Sequence, residues 1–307
     1  MSAGISSVKE PASDLWLERS YFAGEFLGCV AYGIHAAIFA ATVYFMTRKM
    51  HRQNLRISVL AFVCTLFTLG TISVAATVKF CAQSWIDHRL EPGGPATRIK
   101  GDFTDPISEL KVATYIVTNF LAVGIMLYRL WVVWNHNCFV MILPGLAYAG
   151  TTAIGILSIY KSVRSTSLFA HTTAPFAMAS WLLAFLLNLF VTSMIIFRLV
   201  MLRRKTKGLT EPYTSVVAMI IESAAPYSFM ELFYVICYAR NSNIQNLVLP
   251  VLRQVMCISP EFILLRVWMR RTPDQITGAK PHGGSPASRL SGISFAINEP
   301  GQHKEDV

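Results

Sequence analysis

Seven apolar stretches, separated by short polar segments, dominate the pattern of this chain: residues 21–47, 57–80, 112–134, 138–160, 176–202, 216–239 and 247–269. At ~1.5 Å of rise per residue each is long enough to cross the ~30 Å hydrocarbon layer of a bilayer. Lipid offers no partner to a backbone N–H or C=O, so a spanning stretch must close its hydrogen bonds internally, as a helix. The pattern predicts an all-α integral membrane protein, a seven-transmembrane-helix bundle over residues 21–271. A polar N-terminal tail precedes it at 1–20. A disordered tail follows at 272–307, where the composition shifts to Pro, Gly, Ser and charge. The longest internal polar segment, 81–109, contains Pro92-Gly93-Gly94-Pro95, which breaks helix and strand and predicts an ordered turn or a small lid over the helix ends. A shorter polar loop is expected at 161–173.

Composition strengthens this reading. Charged residues make up only 14% of the 307 residues and mean hydropathy is +0.47, whereas soluble domains carry about a quarter charged residues. The net charge of +10 raises the question of nucleic acid, and its distribution answers no. Arg48, Lys49, Arg52 and Arg56 follow the first span, and Arg203, Arg204, Lys205 and Lys207 follow the fifth. With the tail, that side holds 13 basic residues against five acids, and the other side ten against eight. Basic residues in short loops mark the cytoplasmic face, so the N-terminus is expected outside and the C-terminus in the cytoplasm. Residues 1–20 lack the basic start and short apolar core of a signal peptide, so the first span is expected to direct insertion itself. A plasma membrane or other secretory-pathway membrane is the expected location.

Candidate chemistry is confined to ionisable groups inside the spans, which are expensive there and turn to the bundle interior. Glu231 and Arg253 fall ~5–8 Å outward of the midplane on neighbouring helices, which makes them the expected ion pair. Glu25 lies nearer the headgroups and is expected to snorkel. Toward the cytoplasm, Glu222 and Glu261 share the membrane with Arg129, Arg198 and Arg266, and the Arg129–Glu222 contact is expected between the third and sixth spans. Such pairs serve equally to fix helix register. Pro144, Pro226, Pro250 and Pro260 remove helical hydrogen bonds and allow kinks. Gly24 with Gly28, and Gly145 with Gly150 and Gly155, permit close helix packing. His35, deep in the first span, reads as a satisfied interior residue rather than a ligand.

Other classes find no support. The seventh span has no lysine for a retinal Schiff base, and metal-type clusters, phosphate loops and HExxH are absent from the sequence. No enzyme activity, cofactor or metal is expected. Of six cysteines, only Cys81 and Cys237 lie near the outer side, and unpaired thiols are the expected state.

The third, fifth, sixth and seventh spans carry Tyr128-Arg129-Leu130-Trp131-Val132-Val133-Trp134; Asn188 with Thr192 and Arg198-Leu199; Ile221-Glu222-Ser223-Ala224-Ala225 with Tyr227; and Gln254, Ser259-Pro260 and Arg266-Val267. In these the chain resembles a seven-transmembrane protein family of mushroom-forming (basidiomycete) fungi. The resemblance covers most of residues 20–270 and implies a seven-span membrane protein without assigning an activity. Glu261 and Pro226 depart from that family's pattern. The topology is also similar to that of G-protein-coupled receptors, whose Asp-Arg-Tyr motif is matched only in Arg129. The leading expectation is a receptor-like, non-enzymatic protein in contact with the lipid bilayer, taking a small-molecule ligand from outside and a signalling partner in the cytoplasm. The alternatives are a small-solute or proton-linked transporter using Glu231, Arg253 and Glu261, and a structural or assembly protein. Oligomeric state is open.

Overall fold

A computed structural model describes residues 11–49, 53–87, 94–100, 106–164, 170–205 and 210–270. The tail serines, Arg52, Lys207, Pro92 and Gly93 lie outside the described residues. Every regular element among the described residues is helical: α1 (Ala12–Lys49), α2 (Gln53–Ala82) with a π-helical turn (Gln83–Asp87), α3 (Gly94–Lys100), α4 (Pro106–Val133), α5 (Cys138–Arg164), α6 (Ala170–Lys205), α7 (Thr210–Ala239) and α8 (Gln245–Arg270). All but α3 contain a stretch long and apolar enough to span a membrane. The protein is a multi-pass bundle of seven such helices.

The surface explains why. Phe26, Val30, Leu146 and Phe229 are 61–69% exposed along the sides of the bundle. In water such a surface would aggregate; facing acyl chains it is at home. Because the outside is as apolar as the inside, polar groups rather than apolar ones distinguish the interior. Ser20, Glu25, His35, Ser73, Thr77, Lys111, Asn188, Glu231, Gln254 and Glu261 are all buried.

The seven long helices form a closed ring, α1–α2–α4–α5–α6–α7–α8, with α4 also reaching α6 and α8. Val123, Leu127 and Leu130 of α4 pack with Leu187, Val191 and Ile195 of α6 and with Ile263 of α8 in the largest apolar cluster. The ring closes where α1 meets α8. There a Cβ on Gly24 would fall 2.0 Å from the carbonyl oxygen of Asn246, and one on Gly28 would fall 2.7 Å from Pro250. Only hydrogen fits, so these two glycines set the closeness of the seam. The α5 glycines do less: Gly145 has open space and Gly155 makes ordinary contact with Ile116.

Several elements extend beyond the apolar stretches that announced them. α1 begins at Ala12, so residues 12–20 are helix rather than tail. α5 and α6 leave only 165–169 between them instead of a loop over 161–173. The tight α4–α5 connection uses left-handed Asn135 and His136 (φ 53° and 61°), and the Asn137 side chain accepts from the Phe139 N–H at 3.0 Å, capping α5. Where an ordered turn or a small lid is expected, the described residues 94–100 form the short helix α3, packed on α1 and the π-helical turn. Gly94-Pro95, read as breakers, instead start α3, where proline in the first turn is compatible with a helix. Glu18 Oε1 accepts from the Ala96 N–H at 2.9 Å and Lys100 pairs with Asp14 at 2.8 Å. We call this the cap end; the other end carries Arg48, Arg204 and Arg266.

Candidate functional site

The groups of chemical interest lie along α8. Reading from the cap end, it carries Pro250, Gln254, Cys257 and Glu261 at spacings of three or four residues, which keeps them close to one face, with Arg253 beside Gln254 and Arg266 turned toward α7.

Nearest the cap, a narrow groove opens between α1, α2 and α8. It is lined by Glu25 and Gly28 of α1, Ser73 and Thr77 of α2, and Arg253 and Gln254 of α8, and leaves ≈ 10 Å³ for the centre of a water molecule. That is about one water. Glu25 is 7% exposed and lines this groove, so it is held inside the bundle rather than snorkelling.

Below the groove lies a buried polar array. His35 Nδ1 is 3.0 Å from Gln254 Oε1, and Gln254 Nε2 donates to the Gly70 carbonyl at 3.4 Å. Because the amide nitrogen is engaged by Gly70, Gln254 presents its oxygen to the ring, and Nδ1 carries the hydrogen. On the ring's other side, Nε2 approaches Glu261 Oε1 at 3.3 Å, with both side chains fully buried. This approach is close but poorly directed, and Glu261 has no well-aligned hydrogen bond. Phe67 meets the imidazole edge-on at 5.5 Å, and a Cβ on Gly70 would press to 3.0 Å against the same ring. Three helices thus enclose one imidazole. His35 is interior as expected, but its partner is Glu261, a pairing that apolar periodicity did not reveal. The spacing that held the signal was Gln254 to Glu261, two turns apart on one helix face.

The other expected pairs rearrange. Among the described residues no ion pair joins Glu231 to Arg253. Glu231 is fully buried, accepts from the Tyr227 hydroxyl at 3.1 Å, and leaves Oε2 without a hydrogen bond, as Arg253 leaves Nε. Tyr115 lies within electrostatic reach of both, in an aromatic wall where it stacks on Trp181 at 4.3 Å and Trp181 meets Tyr234 at 4.5 Å. Likewise Glu222 does not bind Arg129; its partner is Arg266 of α8. Arg266 also lies over Phe262 at 4.7 Å. Neighbouring α7 and α8 are in direct contact, so the arginine on α8 reaches Glu222 first. Arg198 lies over the Trp134 ring at 5.1 Å.

Of the prolines, Pro226 is exposed and Pro250 and Pro260 are buried in α8. Pro226 therefore faces away from the polar interior, and the kink residues that border the array are those of α8. Lys111 was outside the sequence expectation; it is 3% exposed, donates to the Tyr21 hydroxyl at 2.8 Å and sits 4.0 Å over the Phe80 ring. Its position one residue before an apolar stretch concealed its burial. All six cysteines are free thiols, and no group of three or more His, Cys, Asp or Glu able to hold a metal occurs among the described residues.

No family model, curated protein or solved structure matches the chain.

Proposed function

We propose that this is a receptor-like, non-enzymatic membrane protein of a secretory-pathway or plasma membrane, which carries a signal along α8 from the cap end to the basic end. The observation supporting this reading is the order of features on that one helix. A groove lies at Arg253 and Gln254, a buried ionisable pair at Glu261, and a half-exposed ion pair to α7 at Arg266. A shift of α8 at the groove acts on the pair, and a shift at the pair acts on the latch. The latch is suited to breaking: its side chains are 33% and 55% exposed, and ion pairs of that exposure contribute only ~0–1 kcal/mol.

In this reading the cap end faces outward and the basic end meets a cytoplasmic partner. The test is affinity purification of the full chain with its latch intact and with Arg266→Gln. A heterotrimeric G protein or another cytoplasmic signalling protein, enriched several-fold with Arg266→Gln, supports the receptor. Purification without a partner, together with solute flux in proteoliposomes, moves the assignment to the transporter. That rival draws on the same Glu261, buried beside a histidine.

A further inference from the structure

Most hydroxyls within the spans close on their own helix. Thr42, Thr65, Thr68, Thr71, Thr114 and Thr118 each donate to the carbonyl four residues earlier at 2.6–2.8 Å. Ser73 and Thr77, one turn apart on α2 and 6% and 5% exposed, make no such bond among the described residues. Both line the groove. Two open hydroxyls around a space for one oxygen call for a group that can both donate and accept. The charges on the walls narrow the choice. Glu25 stands on α1 and Arg253 on α8, so an anion meets the carboxylate and a cation meets the guanidinium. Only a neutral group is opposed by neither.

Depth says where such a group comes from. Cys29, in the lining of the groove, stands 19 residues from Arg48 at the basic end. That is ~28 Å of helix against a hydrocarbon layer of ~30 Å. The groove therefore lies at the cap-end boundary between acyl chains and headgroups. Its mouth is beside lipid, where Cys29 is exposed and Val30 is 63% exposed. From there toward the basic end, the hydroxyls between α1 and α2 are spent. Tyr32 donates to Thr71 at 2.9 Å, because the Thr71 hydrogen is already given to the Phe67 carbonyl. The Phe67 ring stacks on Tyr32 at 5.8 Å and on Phe39 at 4.1 Å, and all three are half-buried. Beside this aromatic wall, a Cβ on Gly33 would find nothing within 4 Å, which leaves a bare shelf on α1.

We infer that this furrow binds a sterol, with its neutral hydroxyl seated in the groove and its flat, rigid body lying along α1 and α2 toward the midplane. The parts correspond in order: one oxygen, at boundary depth, with no open hydroxyl below it. A diacylglycerol offers the same hydroxyl on flexible chains, whereas a straight wall with a bare shelf suits fused rings. An apolar body gains little by leaving one apolar medium for another, so the hydroxyl decides affinity and the wall decides shape. The inference rests on the receptor-like reading for the role of the groove as its input, and brings the ligand through the bilayer rather than from water. A hydroxyl seated between Thr77 and Arg253 ties α2 to α8, the helix that carries the latch.

The experiment uses the full chain in lipid nanodiscs and a 3β-hydroxysterol carrying a diazirine on its aliphatic tail. Light should attach the probe to α1 and α2, in peptides that include Phe39 or Phe67. Unlabelled sterol should displace it, and the 3-methyl ether of that sterol should not. Thr77→Val keeps the shape and removes the hydroxyl, and should cut labelling about fivefold, the ~1 kcal/mol of one hydrogen bond. Gly33→Leu places its Cβ in open space, so it should melt as the parent does, yet cut labelling at least as far by covering the shelf. Labelling spread evenly over all the long helices, or unchanged in both variants, overturns the inference. Displacement by the ether as effective as by the sterol overturns the role of the hydroxyl. Equal displacement by diacylglycerol overturns the assignment to a sterol. Each of these leaves the partner-capture test untouched, so the ligand and the receptor reading fail separately.

Discussion

Buried Glu231 and exposed Glu222 differ in what each one touches, and that difference sets what substitution does. Glu231 uses one oxygen, for the Tyr227 hydroxyl. Glu231→Gln keeps that acceptor and removes a carboxylate whose other oxygen has no hydrogen bond, so stability should hold within ~1 kcal/mol. Glu231→Ala leaves the buried Tyr227 hydroxyl unmatched beside a void and should cost ~2–4 kcal/mol. Denaturant unfolding in mixed micelles, followed by tryptophan fluorescence, separates the two; equal losses would show that the charge itself matters. Glu222 is decided by a double-mutant cycle. Coupling with Arg266 should be measurable, at ~0.3–1 kcal/mol and weakened by salt. Coupling with Arg129 should be indistinguishable from zero. A reversed order would restore the contact between α4 and α7 that charge and depth alone suggested.

Between elements, the α1–α8 seam shows what apolar periodicity reveals and what it conceals. The seven long helices were legible because a run of some twenty apolar residues has one solution in lipid. The glycine pair at 24 and 28 was legible too, as a small-residue step on one helix face. Partner choice was not. It depends on which helix lies beside which, and charge balance cannot distinguish Arg129 from Arg266 as the mate of Glu222, nor find His35 for Glu261 at a separation of 226 residues. Helix ends were misjudged for a related reason. Asp14, Glu18 and Lys111 look like loop residues, yet here they hold helix ends to the small α3 cap and to α1. The seam makes a sharp comparison possible. Gly24→Ala drives a methyl into the Asn246 carbonyl and should destabilise by ~1–3 kcal/mol. Gly145→Ala meets open space and should be neutral or stabilising by up to ~1 kcal/mol. Thermal melting of the two purified variants checks this, and a tolerated Gly24→Ala would mean that α1 and α8 sit farther apart.

At the scale of the whole molecule, the two ends of the ring differ in kind, and this difference gives the bundle a direction. The cap end carries α3, held by Glu18 and by the Lys100–Asp14 pair, and the buried Lys111. The other end carries Arg48, Arg204 and the Arg266–Glu222 latch. Anionic lipid headgroups and the insertion machinery both favour such a basic end in the cytoplasm. A reporter fused after Val307 should therefore stay protected in intact cells, and a tag placed before Ala12 should be reached by an impermeant reagent. The protein itself should resist extraction by alkaline carbonate. If the tags report the opposite sidedness, the ring and its contacts stand unchanged, but the groove then opens to the cytosol. The latch would then face away from any cytoplasmic partner. Orientation thus decides which compartment the groove faces, and the two tags resolve it independently of any ligand.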